Sequence, residues 1–241
     1  MDLTNSFLIN KYIAHRGLHD EENPENSLGA FQRAIDADYA IELDVHQISD
    51  GTLVVFHDET LSRITGKDGY TEQLTKESLS TYNLNGTKYT IPTLDEVLQL
   101  VNGKVGLLIE VKNTGKVGSL ESALYEKLKN YSGDFAVQSF NPFVLEWFYK
   151  NAPDIPRGQL SSFFTHTKLG LIKKFALKRM IYIKKFGINF ISYEAKRLPN
   201  RFVNKYRNLP LLAWTIRSQS EYMEVAKHCD NIIFEGFEPV I

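Results

Sequence analysis

A closed (β/α)8 barrel is the fold this sequence predicts, on three observations. Short apolar, β-branched runs alternate with stretches of helical periodicity, the βαβα order of a parallel sheet. Nine strand-like runs occur, and one is the returning arm of a hairpin, which leaves the eight that a closed barrel requires. No Pro/Gly/Ser-rich linker or charge block divides the 241 residues, a length at which α/β barrels form one unit, so residues 1–241 read as a single domain. A doubly wound open sheet would satisfy the first observation equally well.

Tyr12 to His15 reads as the first strand, and Ser27 to Ala37 as a helix entered through Pro24 and a capping Asn26 or Ser27. Ala40 to His46 is the second strand. Asp50-Gly51 signals a tight turn, so Thr52 to His57 returns antiparallel. Further strands are expected at Val105 to Lys112, Phe135 to Ser139, Arg157 to Leu160, Ile188 to Tyr193, Leu211 to Ile216 and Asn231 to Phe234. Helices are expected at Leu94 to Val101, Ser119 to Asn130, Pro142 to Asn151, the basic stretch Lys168 to Phe190, Asn200 to Asn208 and Gln219 to Cys229.

A formal net charge of −1 provides no basic footprint for a nucleic-acid partner, so recognition falls to a local site. The single cysteine, Cys229, excludes an intramolecular disulfide, and zinc-type Cys-x-x-Cys spacings are absent; a reducing, cytoplasmic location fits. Met1 to Tyr12 lacks a signal-peptide pattern, and no apolar run is long enough to cross a bilayer. No feature calls for a protein partner. Residues 168–190 carry Lys168, Lys173, Lys174, Lys178, Arg179, Lys184 and Lys185 among Leu, Ile and Phe with no acidic residue. That composition suits a surface helix able to make peripheral contact with anionic lipid, or an outer barrel helix with a solvated basic face.

The chemistry-bearing residues concentrate in the first half. Glu42 and Asp44 alternate with Ile41, Leu43 and Val45, so both carboxylates share one face of a strand. Burying two carboxylates unpaired costs several kcal/mol or more, which calls for a cation, a basic partner or a raised pKa. With the turn centred on Asp50-Gly51, paired residue numbers sum to about 101, which sets His57 opposite Asp44. His46, His166 and His228 read as ordinary satisfied histidines. His15-Arg16-Gly17 ends the first strand, where the glycine lets the chain turn and the arginine offers a planar donor fork to phosphate. Glu110 and Lys112 repeat the alternation, adding a third carboxylate and a cation, or else an internal ion pair. Three all-oxygen ligands favour a single hard divalent cation, Mg²⁺ or Ca²⁺. With that cation, Arg16 and Lys112 leave the site at +1, which suits a monoanionic phosphodiester and the charge that develops in its cleavage.

These residues resemble the glycerophosphodiester phosphodiesterase family. The pattern comprises His15-Arg16-Gly17, Pro24-Glu25-Asn26-Ser27, Glu42-Leu43-Asp44-Val45, Asp50-Gly51, and Val54-Val55-Phe56-His57-Asp58 with Leu61-Ser62-Arg63 and Thr65-Gly66. It continues in Ile91-Pro92-Thr93-Leu94, Glu110-Val111-Lys112, Gln138-Ser139-Phe140 and Trp214-Thr215. The resemblance implies a TIM barrel of the phospholipase-C-like phosphodiesterase type, with a small insertion at about Glu59 to Tyr89 after the His57-Asp58 strand. It implies metal ligands at Glu42, Asp44 and Glu110, acid–base histidines at His15 and His57, phosphate binding by Arg16 and Lys112, and pocket-lining positions at Gln138 and Trp214. The implied reaction is hydrolysis of a glycerophosphodiester to sn-glycerol 3-phosphate and an alcohol, for which a cyclic glycerol phosphate intermediate is a common proposal. The runner-up readings are a phospholipase-D-like enzyme that cleaves lysophospholipids with release of a cyclic phosphate, and a non-catalytic phosphate- or lipid-binding barrel. Two places depart from the family pattern: Trp214-Thr215-Ile216 continues to Arg217 rather than Asn, and Asn231-Ile232-Ile233-Phe234-Glu235 replaces the closing Gly-(Ile/Val)-x-Thr-Asp.

Overall fold

The computed structural model describes residues 2–113, 115–165 and 170–240. Its elements run α1 (Phe7–Asn10), β1 (Ile13–Ala14), α2 (Leu28–Asp36), β2 (Ala40–Gln47), β3 (Leu53–Val55), α3 (Ser62–Thr65), α4 (Leu94–Val101), β4 (Leu107–Val111) and α5 (Ser119–Leu128). They continue with β5 (Phe135–Ser139), α6 (Pro142–Asn151), β6 (Arg157–Ser161), α7 (Leu171–Lys178), β7 (Phe190–Glu194), α8 (Arg201–Asn204), β8 (Leu211–Ile216), α9 (Gln219–Val225) and β9 (Asn231–Phe234). Strands β1, β2 and β4 to β9 pair in parallel, and β1 pairs with both β2 and β9, so the sheet closes on itself. The expected eight-stranded barrel is therefore the fold, and the open sheet is excluded.

Alternation along each strand divides the side chains between two cores. Outward residues such as Ile41, Leu43, Val45, Leu107, Ile109, Val111 and Val137 pack beneath Phe31, Val97, Leu124, Val144 and Phe148 of the helices. Inward residues at the strand starts, Ile13, Ala40, Leu108, Ala136, Phe190, Leu212 and Ile233, form an apolar floor, sealed from below by Leu3, Phe7 and Leu8. Above it, two residues on, the interior turns polar: Glu42, Glu110, Gln138 and Ser192 are all buried. Gln138 Nε2 donates to Glu42 Oε1 at 3.3 Å and Ser192 Oγ to Gln138 Oε1 at 2.7 Å, joining β2, β5 and β7 across the lumen.

Helix starts follow local capping chemistry. Ser27 caps α2 by accepting from Ala30 N, and Thr93 and Glu96 form a reciprocal capping box on α4. The hairpin differs from expectation by one residue. Val45 faces Val55 and His46 faces Val54, with Phe56 N bonded to Asp44 O, so paired numbers sum to 100 and His57 lies beyond the end of β3. The extra offset arises in the turn, where Ile48 O accepts from Gly51 N and Ile48 N donates to Thr52 O. Between His57 and α4 the chain forms α3 and short 3-10 turns around its own apolar cluster of Leu61, Ile64, Leu74, Leu79, Leu84 and Ile91, packed on Val54 and Phe56.

The long basic helix is also corrected. Of 168–190, residues 168 and 169 lie outside the described residues, as does His166, and the helix covers only Leu171–Lys178. Beyond it the chain coils in turns because Met180, Ile183, Phe186 and Ile188 are drawn into a core with Tyr193 and Tyr206. Likewise α8 ends at Asn204 and α9 at Val225, short of the expected Asn208 and Cys229.

Gly158 of β6 makes room for the floor: a Cβ there would lie 2.1 Å from the Phe190 ring. Gly158→Val is expected to overpack the lumen and lower stability by ~1–3 kcal/mol. Urea unfolding, followed by circular dichroism, measures the loss.

Candidate active site

The barrel register brings the three carboxylates together. Asp44 on β2 pairs directly with Glu110 on β4, and Glu42 lies one inward position below Asp44. One oxygen from each falls within 4.8 Å of the others, and all three side chains are buried. Such crowding is unfavourable for three anions in a poorly solvated interior. Burial and the charges of Asp44 and Glu110 push the Glu42 carboxyl well above its usual range. Burial also raises Glu110, against the pull of Lys112. Asp44 is the exception: burial opposes its ionisation, but Lys112, His57 and Arg16 together hold it far below normal.

Lys112, the first residue past β4, reaches back with Nζ at 2.7 Å from Glu110 Oε1 and 3.1 Å from Asp44 Oδ1. Burial resists its charge, yet the two carboxylates keep its pKa above the ordinary lysine value. The Glu110–Lys112 ion pair foreseen as an alternative is thus present, inside the cluster. Arg16 and Gly17 both take positive φ, +56° and +81°, in the turn after β1. A Cβ on Gly17 would lie 2.9 Å from the Ala30 backbone, so only glycine fits where α2 crosses the turn. The turn aims Arg16 N at Glu42 Oε2 (3.2 Å) and brings Arg16 Nε to 3.4 Å from Asp44 Oδ2.

Each histidine is held through Nδ1. His57 Nδ1 lies 2.5 Å from Asp58 Oδ1, and Arg63 Nε from α3 lies 2.5 Å from Asp58 Oδ2. Arg63 also grips Glu25 at 2.8 Å, and Glu25 in turn accepts from Arg16 Nη1 at 2.6 Å. His15 Nδ1 bonds Glu235, just past β9, whose Oε1 is 2.7 Å from Arg217 Nε. Each carboxylate stabilises the Nδ1–H tautomer, leaving Nε2 as the free basic nitrogen. For His15, Nε2 points at Glu42 Oε2, 3.9 Å away. Burial lowers both imidazoles, against the pull of Glu235 on His15 and of Asp44 and Asp58 on His57, and the His57 pKa falls to about 4. His46, by contrast, donates to the His57 carbonyl at 3.2 Å and is satisfied.

Gln138, paired with Glu110 in the strand register, lies beside Glu42 and bonds it, and Trp214 stands edge-on to Phe140 (centroids 5.6 Å apart), which meets Phe164 at 6.0 Å. These rings form an aromatic wall. The buried Trp214 Nε1 and Arg16 Nε make no hydrogen bond, and Asp44 Oδ1 accepts none of good geometry.

The donor set fits a hard divalent cation: all three ligand groups are carboxylates, as Mg²⁺ and Ca²⁺ prefer, and one buried oxygen lacks a directed partner. The surrounding charge fits too. Six carboxylates, Glu25, Glu42, Asp44, Asp58, Glu110 and Glu235, face four fixed cations, Arg16, Arg63, Lys112 and Arg217. A divalent ion makes up the difference.

Sequence reasoning missed five of these supports. Asn26, with φ +57°, donates from Nδ2 to Asp44 Oδ2 at 2.9 Å; its place in Pro24-Glu25-Asn26-Ser27 was the available signal, taken for helix capping alone. Glu25 and Arg63 likewise stood in quoted motifs without a role. Glu235 and Arg217 stood out only as departures, and they turn out to be partners. Lys112→Met removes the cation from two buried acids and is expected to lower stability by ~3–5 kcal/mol in chelator, with partial recovery on adding Ca²⁺. Urea titrations with and without the ion test both parts.

Residues 15–234 match the model of the glycerophosphoryl diester phosphodiesterase family. A glycerophosphodiester phosphodiesterase of Caldanaerobacter subterraneus is 33% identical, with 95% of each chain covered. Among solved structures, an Oleispira antarctica phosphodiesterase in complex with the product sn-glycerol-3-phosphate superposes with a TM-score of 0.78 at 25% identity, covering 93% of this chain and 92% of that one. A Thermotoga maritima glycerophosphodiester phosphodiesterase shares the fold, with a TM-score of 0.73 at 24% identity over 92% of this chain and 93% of that one. With its barrel, its buried acidic triad and this match over nearly its whole length, the chain belongs to the glycerophosphoryl diester phosphodiesterase family.

Proposed function

We propose that this chain hydrolyses glycerophosphodiesters to sn-glycerol 3-phosphate and an alcohol, with one divalent cation held by Glu42, Asp44 and Glu110. The observation that carries the proposal is the pairing of two carboxylate-held histidines with a buried three-carboxylate cluster at the open end of the barrel. The product complex of the Oleispira relative supports the same chemistry.

When bound, the cation supplies Lewis-acid polarisation of a phosphoryl oxygen. Arg16 and Lys112 add positive charge beside that oxygen, where the transition state accumulates negative charge. One histidine accepts the proton of the attacking hydroxyl at Nε2; the other acts as the acid from its imidazolium form, carrying at Nε2 a proton taken up from solvent, which it gives to the leaving alcohol, and the proton left on the first ring returns to solvent. Asp58 and Glu235 favour the imidazolium that forms at each ring and fix its orientation. The Trp214–Phe140 wall bounds one side of the pocket and limits water there.

Purified protein incubated with glycerophosphocholine, glycerophosphoethanolamine, glycerophosphoglycerol or a lysophospholipid, with Mg²⁺, Ca²⁺ or chelator, is followed by phosphorus NMR. Release of sn-glycerol 3-phosphate that stops in chelator is expected. Failure to cleave any diester with either metal would sink the proposal, and cyclic phosphate from the lysophospholipid alone would move it to the lysophospholipid-cleaving reading. His57→Ala is expected to lower turnover by ~10²–10⁴-fold while metal binding persists. Glu42→Ala should lose both, as calorimetric titration with Ca²⁺ would report. Asp58→Asn and Glu235→Gln should each lower kcat by ~10–100-fold with little change in KM; steady-state kinetics that leave kcat untouched would remove these carboxylates from the mechanism.

A further inference from the structure

Helix α7 has no buried residue, although Leu171 and Ile172 are each 86% exposed and Phe175 is 54% exposed. Eight residues of helix are marginal in water without a packed face, so an apolar stripe left open calls for a cover. The same stretch states what kind of cover. Lys173, Lys174, Lys178, Arg179, Lys184 and Lys185 make no ion pair among the described residues, and the sequence holds no Asp or Glu between Asp154 and Glu194. Lys178 and Arg179 instead lie over the Phe163 and Phe175 rings, at 3.7 and 3.8 Å. Mixed cations and exposed apolar side chains with no acid match an anionic lipid interface, where the rings and aliphatic groups enter the acyl boundary and the ammonium groups meet phosphates.

The position on the barrel sharpens this. Ser161, the last residue of β6, donates from Oγ to Leu177 O at 3.0 Å, which fixes the end of α7 at the C-terminal rim of the strands. That rim is the one where His15, Lys112 and Glu235 follow β1, β4 and β9. Phe143, 50% exposed at the start of α6 on the same rim, lies against Tyr182 at 5.7 Å and continues the apolar surface. Among the described residues no helix is long and apolar enough to cross a membrane, so contact would be peripheral.

We propose that α7 and the basic turns after it dock on an anionic phospholipid surface, with the mouth of the barrel turned toward the lipid. Docking would hold the active site within reach of diesters carried in or shed from the membrane, and it stands independently of the catalytic assignment.

The test is sedimentation with vesicles of phosphatidylcholine alone and with roughly one-third phosphatidylglycerol, beside hydrolysis of soluble glycerophosphocholine. The protein is expected to sediment with the anionic vesicles only, and less so at high salt. Lys173→Glu with Lys174→Glu should weaken partitioning by at least ~25-fold, about fivefold for each charge. Leu171→Ser with Ile172→Ser should weaken it by at least ~10-fold; both side chains are too exposed to support the core, and circular dichroism checks that the fold persists. Hydrolysis of the soluble diester should not change in either variant. Protein that stays in solution with anionic vesicles overturns the proposal, as does binding indifferent to both variants. So does a dimer in sedimentation equilibrium that Leu171→Ser with Ile172→Ser converts to monomer, since a second copy would then be the cover. Because binding is read without turnover, an inactive protein that still binds would count against the hydrolase reading alone.

Discussion

Mutual repulsion of Glu42, Asp44 and Glu110 is the constraint around which the barrel is arranged. Three carboxylates with oxygens inside 4.8 Å cannot all remain charged in a buried site unless positive charge is brought to them. The strands supply the crowding, since parallel register fixes Asp44 beside Glu110 whatever the electrostatic cost. The residues just past the strand ends supply the relief: Arg16 after β1 and Lys112 after β4 both fold back over the acids. Relief stays incomplete without a cation, as the raised Glu42 and Glu110 carboxyls indicate. The apolar floor serves the same end, because Phe190, Leu108 and the plug from α1 close the lumen below and leave the strand ends as the open side.

A chain of alternating charges runs outward from the acids, from Arg16 to Glu25 to Arg63 to Asp58 to His57. Its outer pairs involve a half-exposed Arg63, and pairs of that kind add only ~0.2–1 kcal/mol to stability. Their consequence is geometric. Arg63 sits on α3, within the segment that follows β3, and that segment carries its own apolar cluster. The cluster holds α3 against the hairpin, so the small core after β3 fixes a guanidinium that in turn fixes His57. This explains how His57 reaches the site although the strand that carries it ends two residues earlier.

The fold was legible because strand alternation and capping are local. The β2 pattern Glu42-Leu43-Asp44-Val45 fixes which side chains share a face, and parallel pairing then brings Glu110 alongside with no further information. The hairpin register was harder to read. A shift of one residue depends on how Ile48, Gly51 and Thr52 bond in the turn, and the dipeptide Asp50-Gly51 does not encode that choice. The length of α7 was illegible for a different reason: helical periodicity continues past Lys178, but Met180, Ile183 and Phe186 find partners in Tyr193 and Tyr206, far along the chain. Long-range supports such as Glu235 to His15, 220 residues apart, leave no mark in either segment alone.

The late strands show how such a support can change without losing its effect. Read separately, Arg217 in place of Asn and Glu235 in place of Asp are two departures at the strand ends that border the pocket. In the folded chain they are one unit, joined at 2.7 Å, with the other Glu235 oxygen on His15. Glutamate is one methylene longer than aspartate and has one more rotatable bond, so a lone glutamate at the end of β9 would hold an imidazole less firmly. Arg217 removes that freedom by gripping the far oxygen, while His15 first, then His19 and Arg217, hold the Glu235 carboxyl below its usual range against its burial. Residues joined in one ion-pair network respond to substitution non-additively. The departures therefore locate a pair whose shared effect is to orient His15, and the same guanidinium–carboxylate–imidazole order recurs in Arg63, Asp58 and His57.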